Sequence, residues 1–133
     1  MSTWSSPVRY GECDQQGVVF NAHYLAWADE AMTSLLFDLG TPYDGLLARG
    51  LETAVVASEL TWTSPARWGD LVEVDGAIIR IGNASFTAEL AVRVGERACC
   101  TVRTTYVLHD PDRKPVRVPD DLRERWLVAS SLH

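Results

Sequence analysis

The spacing of apolar residues changes character part-way along the chain. Tyr24, Leu25, Ala28, Ala31, Met32, Leu35, Leu36 and Leu39 fall on one broad arc of a helical wheel, with Asp29, Glu30, Thr33, Ser34 and Asp38 opposite. That period predicts an amphipathic helix over Ala22–Leu39. Asn21 is the expected N-cap, Gly40 the expected C′ residue, and Pro42 keeps the helix from resuming. Trp27 and Phe37 land on the polar arc, so the wet side of this helix is expected to be partly covered, by a sheet or by a partner subunit. Asp29 and Glu30 point about 100° apart and read as a solvated pair.

Thr41–Gly50 reads as a connector with one helical turn at Asp44–Ala48. Beyond it the period drops to two. Ala54, Val56, Ser58, Leu60 and Trp62 alternate with Val55, Ala57, Glu59 and Thr61, which predicts a long strand ending at Ser64-Pro65. Trp68-Gly69-Asp70 supplies a turn, Leu71–Ile81 a second strand with Gly76 as a candidate bulge, and Gly82-Asn83 the next turn. Ser85–Val94 presents Phe86, Ala88, Leu90, Val92 and Val94 on one face. After Gly95-Glu96, Arg97–Leu108 does the same with Cys100, Val102, Thr104, Tyr106 and Leu108. Three tight turns in succession predict an antiparallel meander. His109–Pro115 reads as a solvated loop, and Pro119–Leu127 as a short helix with Pro at N1. With a short extended run ending at Tyr10, the order is strand, long helix, four strands: a single α+β domain over residues 1–133.

Composition narrows the function classes. Of 133 residues, 47% are hydrophobic and 23% charged, as in a soluble globular domain, and no apolar run is long enough to span a bilayer. The N-terminus lacks the basic start and apolar middle of a signal peptide, so a cytoplasmic protein is the default. Twelve basic against eighteen acidic residues give a formal charge of −6, which argues against a nucleic-acid partner. Cys13, Cys99 and Cys100 are too few for a disulfide framework, and His23, His109 and His133 have no metal-ligand spacing, so no metal is expected.

The candidate chemistry lies between the first strand and the long helix, in Tyr10-Gly11-Glu12-Cys13-Asp14-Gln15-Gln16-Gly17-Val18-Val19-Phe20-Asn21-Ala22-His23-Tyr24. Gln15-Gln16-Gly17 carries turn chemistry, with Gly17 free to take a positive φ. Val18-Val19-Phe20 leads into the helix. Asp14 is thereby brought near a helix N-terminus, where unpaired N–H groups and the positive dipole end favour negative charge. Read bare, an Asp before such a turn is most often only a turn residue.

The run Asp14-Gln15-Gln16-Gly17-Val18-Val19-Phe20, followed by Tyr24 and Asp29, resembles the signature of hotdog-fold acyl-CoA thioesterases of the 4-hydroxybenzoyl-CoA thioesterase type, including those linked to the Tol-Pal system. Pro65-Ala66-Arg67-Trp68-Gly69-Asp70 is similar to a turn of the same family, and Ser85-Phe86 to its strand start. The resemblance spans roughly residues 7 to 126. It implies a hotdog fold, a five-stranded antiparallel sheet wrapped around a long central helix. It also implies homodimers formed by pairing sheet edges, often homotetramers, with active sites at the dimer interface. Asp14 takes the catalytic carboxylate, and the backbone N–H of Phe20 or Asn21 the oxyanion donor. The implied substrate is an acyl-CoA, with coenzyme A present as part of the substrate rather than as a cofactor. Two departures stand out. Asn21 occupies the place of the histidine of the Tol-Pal-linked enzymes, leaving His23 as the local histidine, and Gly82-Asn83-Ala84 replaces basic residues that meet the nucleotide phosphates.

A thioester releases a thiolate whose acid has a pKa of about 8.5, so no strong general acid is needed. One ionised carboxylate and one oxyanion donor can then suffice. Asp14 acts either as nucleophile, through a mixed anhydride, or as the base that activates water. Gly17, Val19, Tyr24, Trp62, Asn83 and Ser85 are the candidate substrate contacts, and Trp27, Trp68 and Tyr43 either line an acyl pocket or pack in the core. Glu59 reads as a solvated or interface residue. Arg80, Arg93 and Arg103 are candidate phosphate contacts or ordinary surface charges. Two other functions stay open: a non-catalytic acyl-CoA-binding module, and hydrolysis of acyl groups on a carrier protein. A hydratase, using Asp14 with His23, is a further alternative.

Overall fold

The computed structural model describes residues 2–131, with side chains to residue 127; His133 lies outside the described residues. Helix α1 (Ala22–Asp38) forms where the 3.6 period predicted it and buries Tyr24, Trp27, Ala28, Ala31, Met32, Leu35 and Leu36. Leu39 is its C-cap and Gly40, at φ 78°, carries the chain out. A short helix α2 (Tyr43–Ala48) follows. Strands β1 (Ser2–Pro7), β2 (Glu52–Trp62), β3 (Leu71–Ile81), β4 (Ser85–Val94) and β5 (Arg97–His109) make one antiparallel sheet, and helix α3 (Asp120–Ser131) closes the chain. The α+β reading and the five-stranded sheet around a central helix are what the structure contains.

The strand order is β1-β3-β4-β5-β2, which corrects the meander. Only β3, β4 and β5 are joined by hairpins. Residues 63–70 carry the chain from β2 to β3, across the width of the β3-β4-β5 sheet, so the turn at Trp68–Asp70 is not a hairpin. Gly76 is not a bulge either. It pairs in register with Leu90, and the shift lies between Ile78 and Arg80. Gly76 serves close approach, because a Cβ there would sit 3.1 Å from Leu90 Cδ2 and 3.5 Å from Leu35 Cδ2.

Alternation buries Val72, Val74, Phe86, Ala88, Leu90, Val92, Val102 and Leu108, and α1 packs on the strands that carry them. Burying each of the larger ones contributes about 1.5–3 kcal/mol. At the far end Trp126 of α3 packs at a tilt against Phe86, ring centroids 4.8 Å apart, and its indole N–H donates to Thr41 Oγ1 at 3.0 Å. Trp27, expected on the wet arc, is 2% exposed. A partner outside the helix draws it inward, as the site shows.

Candidate active site

The chain does not run extended through Tyr10. After β1 it makes a single 3₁₀ turn at Tyr10–Glu12 and then a miniature hairpin. Cys13 and Val19 bridge across it, Asp14 N–H donates to Val18 O at 2.8 Å, and Gly17 N–H donates to Asp14 O at 3.0 Å. Gly17 takes φ 78°, the left-handed conformation this reversal requires. Asp14 is exposed, and its Oδ1 accepts the Gln16 N–H at 2.8 Å, an Asx turn. It makes no ion pair among the described residues.

The hairpin is strapped to the segment after β2. Val18 bridges Arg67, Val19 N–H donates to Ala66 O at 2.9 Å, and Ala66 N–H donates to the Tyr24 hydroxyl at 3.0 Å. Tyr24 is therefore a brace between helix and loop, 1% exposed, and burial raises the pKa of its hydroxyl.

Beneath the hairpin lies Glu12, which sequence reasoning passed over. It is 6% exposed. Its Oε1 accepts the Arg9 N–H at 2.7 Å, while Oε2 accepts Arg9 Nη2 at 3.0 Å and the Trp27 indole N–H at 2.9 Å. Burial pushes this carboxyl up, but the hydrogen bonds from Arg9 and Trp27 outweigh it and hold Glu12 below its ordinary value. This is the partner that turns Trp27 inward. The available signal was the three-residue spacing of Arg9 and Glu12, the spacing of a capping box.

At the helix start the two expected oxyanion donors differ in their hydrogen bonding. Phe20 N–H is engaged, donating to Glu12 O at 2.9 Å. Asn21 N–H has no acceptor among the described residues. The Asn21 side chain makes no capping bond, and its backbone is already helical at φ −51°, ψ −38°, so the expected N-cap role is corrected. His23 is half-buried, with its ring edge-on to Phe20 at 6.3 Å.

Two hollows flank this loop. Tyr10, Cys13, Asp14, Gln15, Gly17 and Trp68 line one of about 540 Å³, in which the Tyr10 and Trp68 rings meet edge-on at 5.6 Å. Val18, Val19, Asn21, Tyr24 and Trp62, with Thr63, Ser64 and Pro65, line another of about 280 Å³. Gly17, Val19, Tyr24, Trp62 and Trp68 are thus gathered around the loop. Trp27 is not, being buried under it, and Tyr43 lines neither hollow.

Asn83 and Ser85 lie elsewhere, at the β3–β4 turn. There Asn83 O accepts the Val118 N–H at 2.8 Å and Arg123 Nη2 at 3.2 Å, and Ser85 O accepts the Gly82 N–H at 2.7 Å; neither residue lines a hollow beside Asp14. Arg93 is paired with Glu73 and Asp75, and Arg103 with Glu89, which leaves Arg80 without an ion pair among the described residues. Glu59 is exposed on β2. Burial pushes the Cys100 thiol up to about 11, so it is no nucleophile at neutral pH. Among the described residues no group of three or more His, Cys, Asp or Glu could hold a metal ion, and no helix is long and apolar enough to cross a membrane.

Known proteins share this architecture. A 1,4-dihydroxy-2-naphthoyl-CoA hydrolase of Prochlorococcus marinus is 27% identical over 133 residues, 95% of this chain and 88% of that protein. YneP of Bacillus subtilis is 36% identical over 67 residues, half of this chain, and the match spans about half (49%) of that relative's length. The crystal structure of the hypothetical protein TT1821 from Thermus thermophilus superposes with a TM-score of 0.88 at 28% identity, covering 96% of this chain and 98% of that one. The profile of the thioesterase-like superfamily matches residues 8–126, the span from the end of β1 to α3, and the chain, a hotdog fold, belongs to that superfamily.

Proposed function

We propose that this chain hydrolyses the thioester bond of an acyl-CoA carrying an aromatic or short- to medium-chain acyl group. Asp14 is the nucleophile or general base, and the Asn21 N–H is the oxyanion donor. The carrying observation is the Asp14 carboxylate itself. It lines an open hollow, is oriented through one oxygen by the Gln16 N–H, makes no ion pair among the described residues, and sits on the hairpin that runs into the start of α1. A relative named as a naphthoyl-CoA hydrolase supports an acyl-CoA substrate. The Asp14–Phe20 motif supports the 4-hydroxybenzoyl-CoA thioesterase type within the superfamily.

By the base route Asp14 takes a proton from water as the water oxygen bonds to the acyl carbon, and the carbonyl electrons move onto the oxygen facing Asn21 N–H. Collapse expels the CoA thiolate and leaves the free acid. By the nucleophilic route an Asp14 oxygen bonds to the acyl carbon first, and collapse breaks the C–S bond and expels the CoA thiolate to leave a mixed anhydride. Water then cleaves the anhydride to the free acid and restores the Asp14 carboxylate. In both, the helix end stabilises the oxyanion. Homodimers through the β2 edge, or tetramers built from them, fit the exposed side chains of Val55 and Val56 on that edge.

The test is release of free thiol from a panel of aromatic and aliphatic acyl-CoAs. Asp14→Asn is expected to lower kcat by on the order of a hundredfold or more while the circular dichroism spectrum is unchanged. A variant with wild-type kcat would remove Asp14 from the mechanism.

A further inference from the structure

Glu12 is a buried carboxylate that the reaction outlined above does not use, and it lies two residues from the one the reaction does use. Taking such a group out of water costs several kcal/mol unless its oxygens are satisfied. Here three donors satisfy them, two from Arg9 and one from Trp27. Trp27 is a residue of α1, and the Glu12 peptide oxygen also holds the N–H of Phe20, directly before the helix start. The same residue therefore grips α1 at two points, its first approach and a place about two turns further along. Glu12 thereby ties the hairpin bearing Asp14 to the helix bearing the Asn21 N–H.

We propose that Glu12 is a positioning residue for thioester hydrolysis, holding the Asp14 hairpin in register with the start of α1 through the Trp27 indole. This rests on the reading of Asp14 as the reacting carboxylate. Glu12 touches no reacting atom. Its effect is to keep the attacking group and the oxyanion donor at a fixed spacing for one thioester carbonyl, where a misplacement of about 1 Å costs on the order of a hundredfold in rate.

The experiment is single-turnover hydrolysis of an acyl-CoA that the wild-type protein cleaves, with enzyme in large excess and saturating. Under those conditions the rate constant does not depend on what fraction of the protein is folded, so lost stability alone does not move it. Glu12→Gln, which puts an amide donor against the donors of Arg9 and Trp27, is expected to lower that rate constant about tenfold to a hundredfold. Trp27→Phe keeps the ring and deletes the N–H. It is expected to lower the rate several-fold, and it carries the test alone if Glu12→Gln does not fold. A wild-type rate constant in a folded Glu12→Gln, or in Trp27→Phe where that variant stands alone, overturns the proposal. The underlying reading fails separately: an Asp14→Asn protein with a wild-type rate constant removes it whatever Glu12 does, whereas a crippled Asp14→Asn beside a fully active Glu12→Gln removes only the role of Glu12.

Discussion

A backbone amide cannot be deleted by ordinary substitution, and the start of α1 offers the exception. Asn21 has φ −51°, within reach of the value proline imposes, and its side chain caps nothing. Asn21→Ala is therefore expected to leave kcat within about threefold, since it keeps the N–H. Asn21→Pro removes the one atom proposed to face the oxyanion, and is expected to lower kcat by about a hundredfold to a thousandfold. Equal rates for the two variants would move the donor elsewhere. At this scale the sequence was half legible. Asp14 stood out because a carboxylate, a turn glycine and a helix start are local features. Glu12 did not, because nothing local says that a glutamate will be buried. Its burial depends on an indole fifteen residues away, and the same contact made Trp27 look misplaced on the helical wheel. Which of the Phe20 and Asn21 N–H groups is already engaged was closed to sequence for the same reason, since it turns on where one peptide hydrogen bond goes.

Elements were read best where the period alone decides them. The bounds of β3 and β4 match their predicted ranges, because strict alternation leaves little freedom in where a half-buried strand begins and ends. The position of β2 escaped, because the stretch from Thr63 to Asp70 has the proline and glycine of a turn but the length of a crossover. Gly76 was misread because a strand glycine marks either a bulge or a close approach, and only the facing side chains distinguish them. Those side chains make a specific prediction. Gly76→Val drives a branched side chain against Leu90 and against Leu35 of α1, and is expected to cost about 1–3 kcal/mol. The urea midpoint measures it, and an unchanged midpoint would mean that helix and sheet are not closely seated there.

Across the whole molecule the two sheet edges differ. β1 is short, six residues, whereas β2 runs eleven and presents Val55 and Val56 at 56% and 58% exposure beside a register shift. A long edge with exposed valines invites strand pairing. For the dimer proposed through this edge, Val56→Lys is expected to reduce the mass seen by light scattering to that of one protomer, and a variant that keeps the wild-type mass would exclude this edge as its contact. The strap between Tyr24 and Ala66 carries one more consequence. Every atom proposed to do chemistry belongs to the first two dozen residues, yet their seat is supplied by a segment 42 positions downstream of Tyr24. A nascent chain that has emerged only through α2 would carry a full set of reactive groups with nothing to hold them. Activity should therefore arrive late in synthesis, together with the closing of the sheet, and a C-terminal truncation ahead of Ala66 should be inert even when its helix forms.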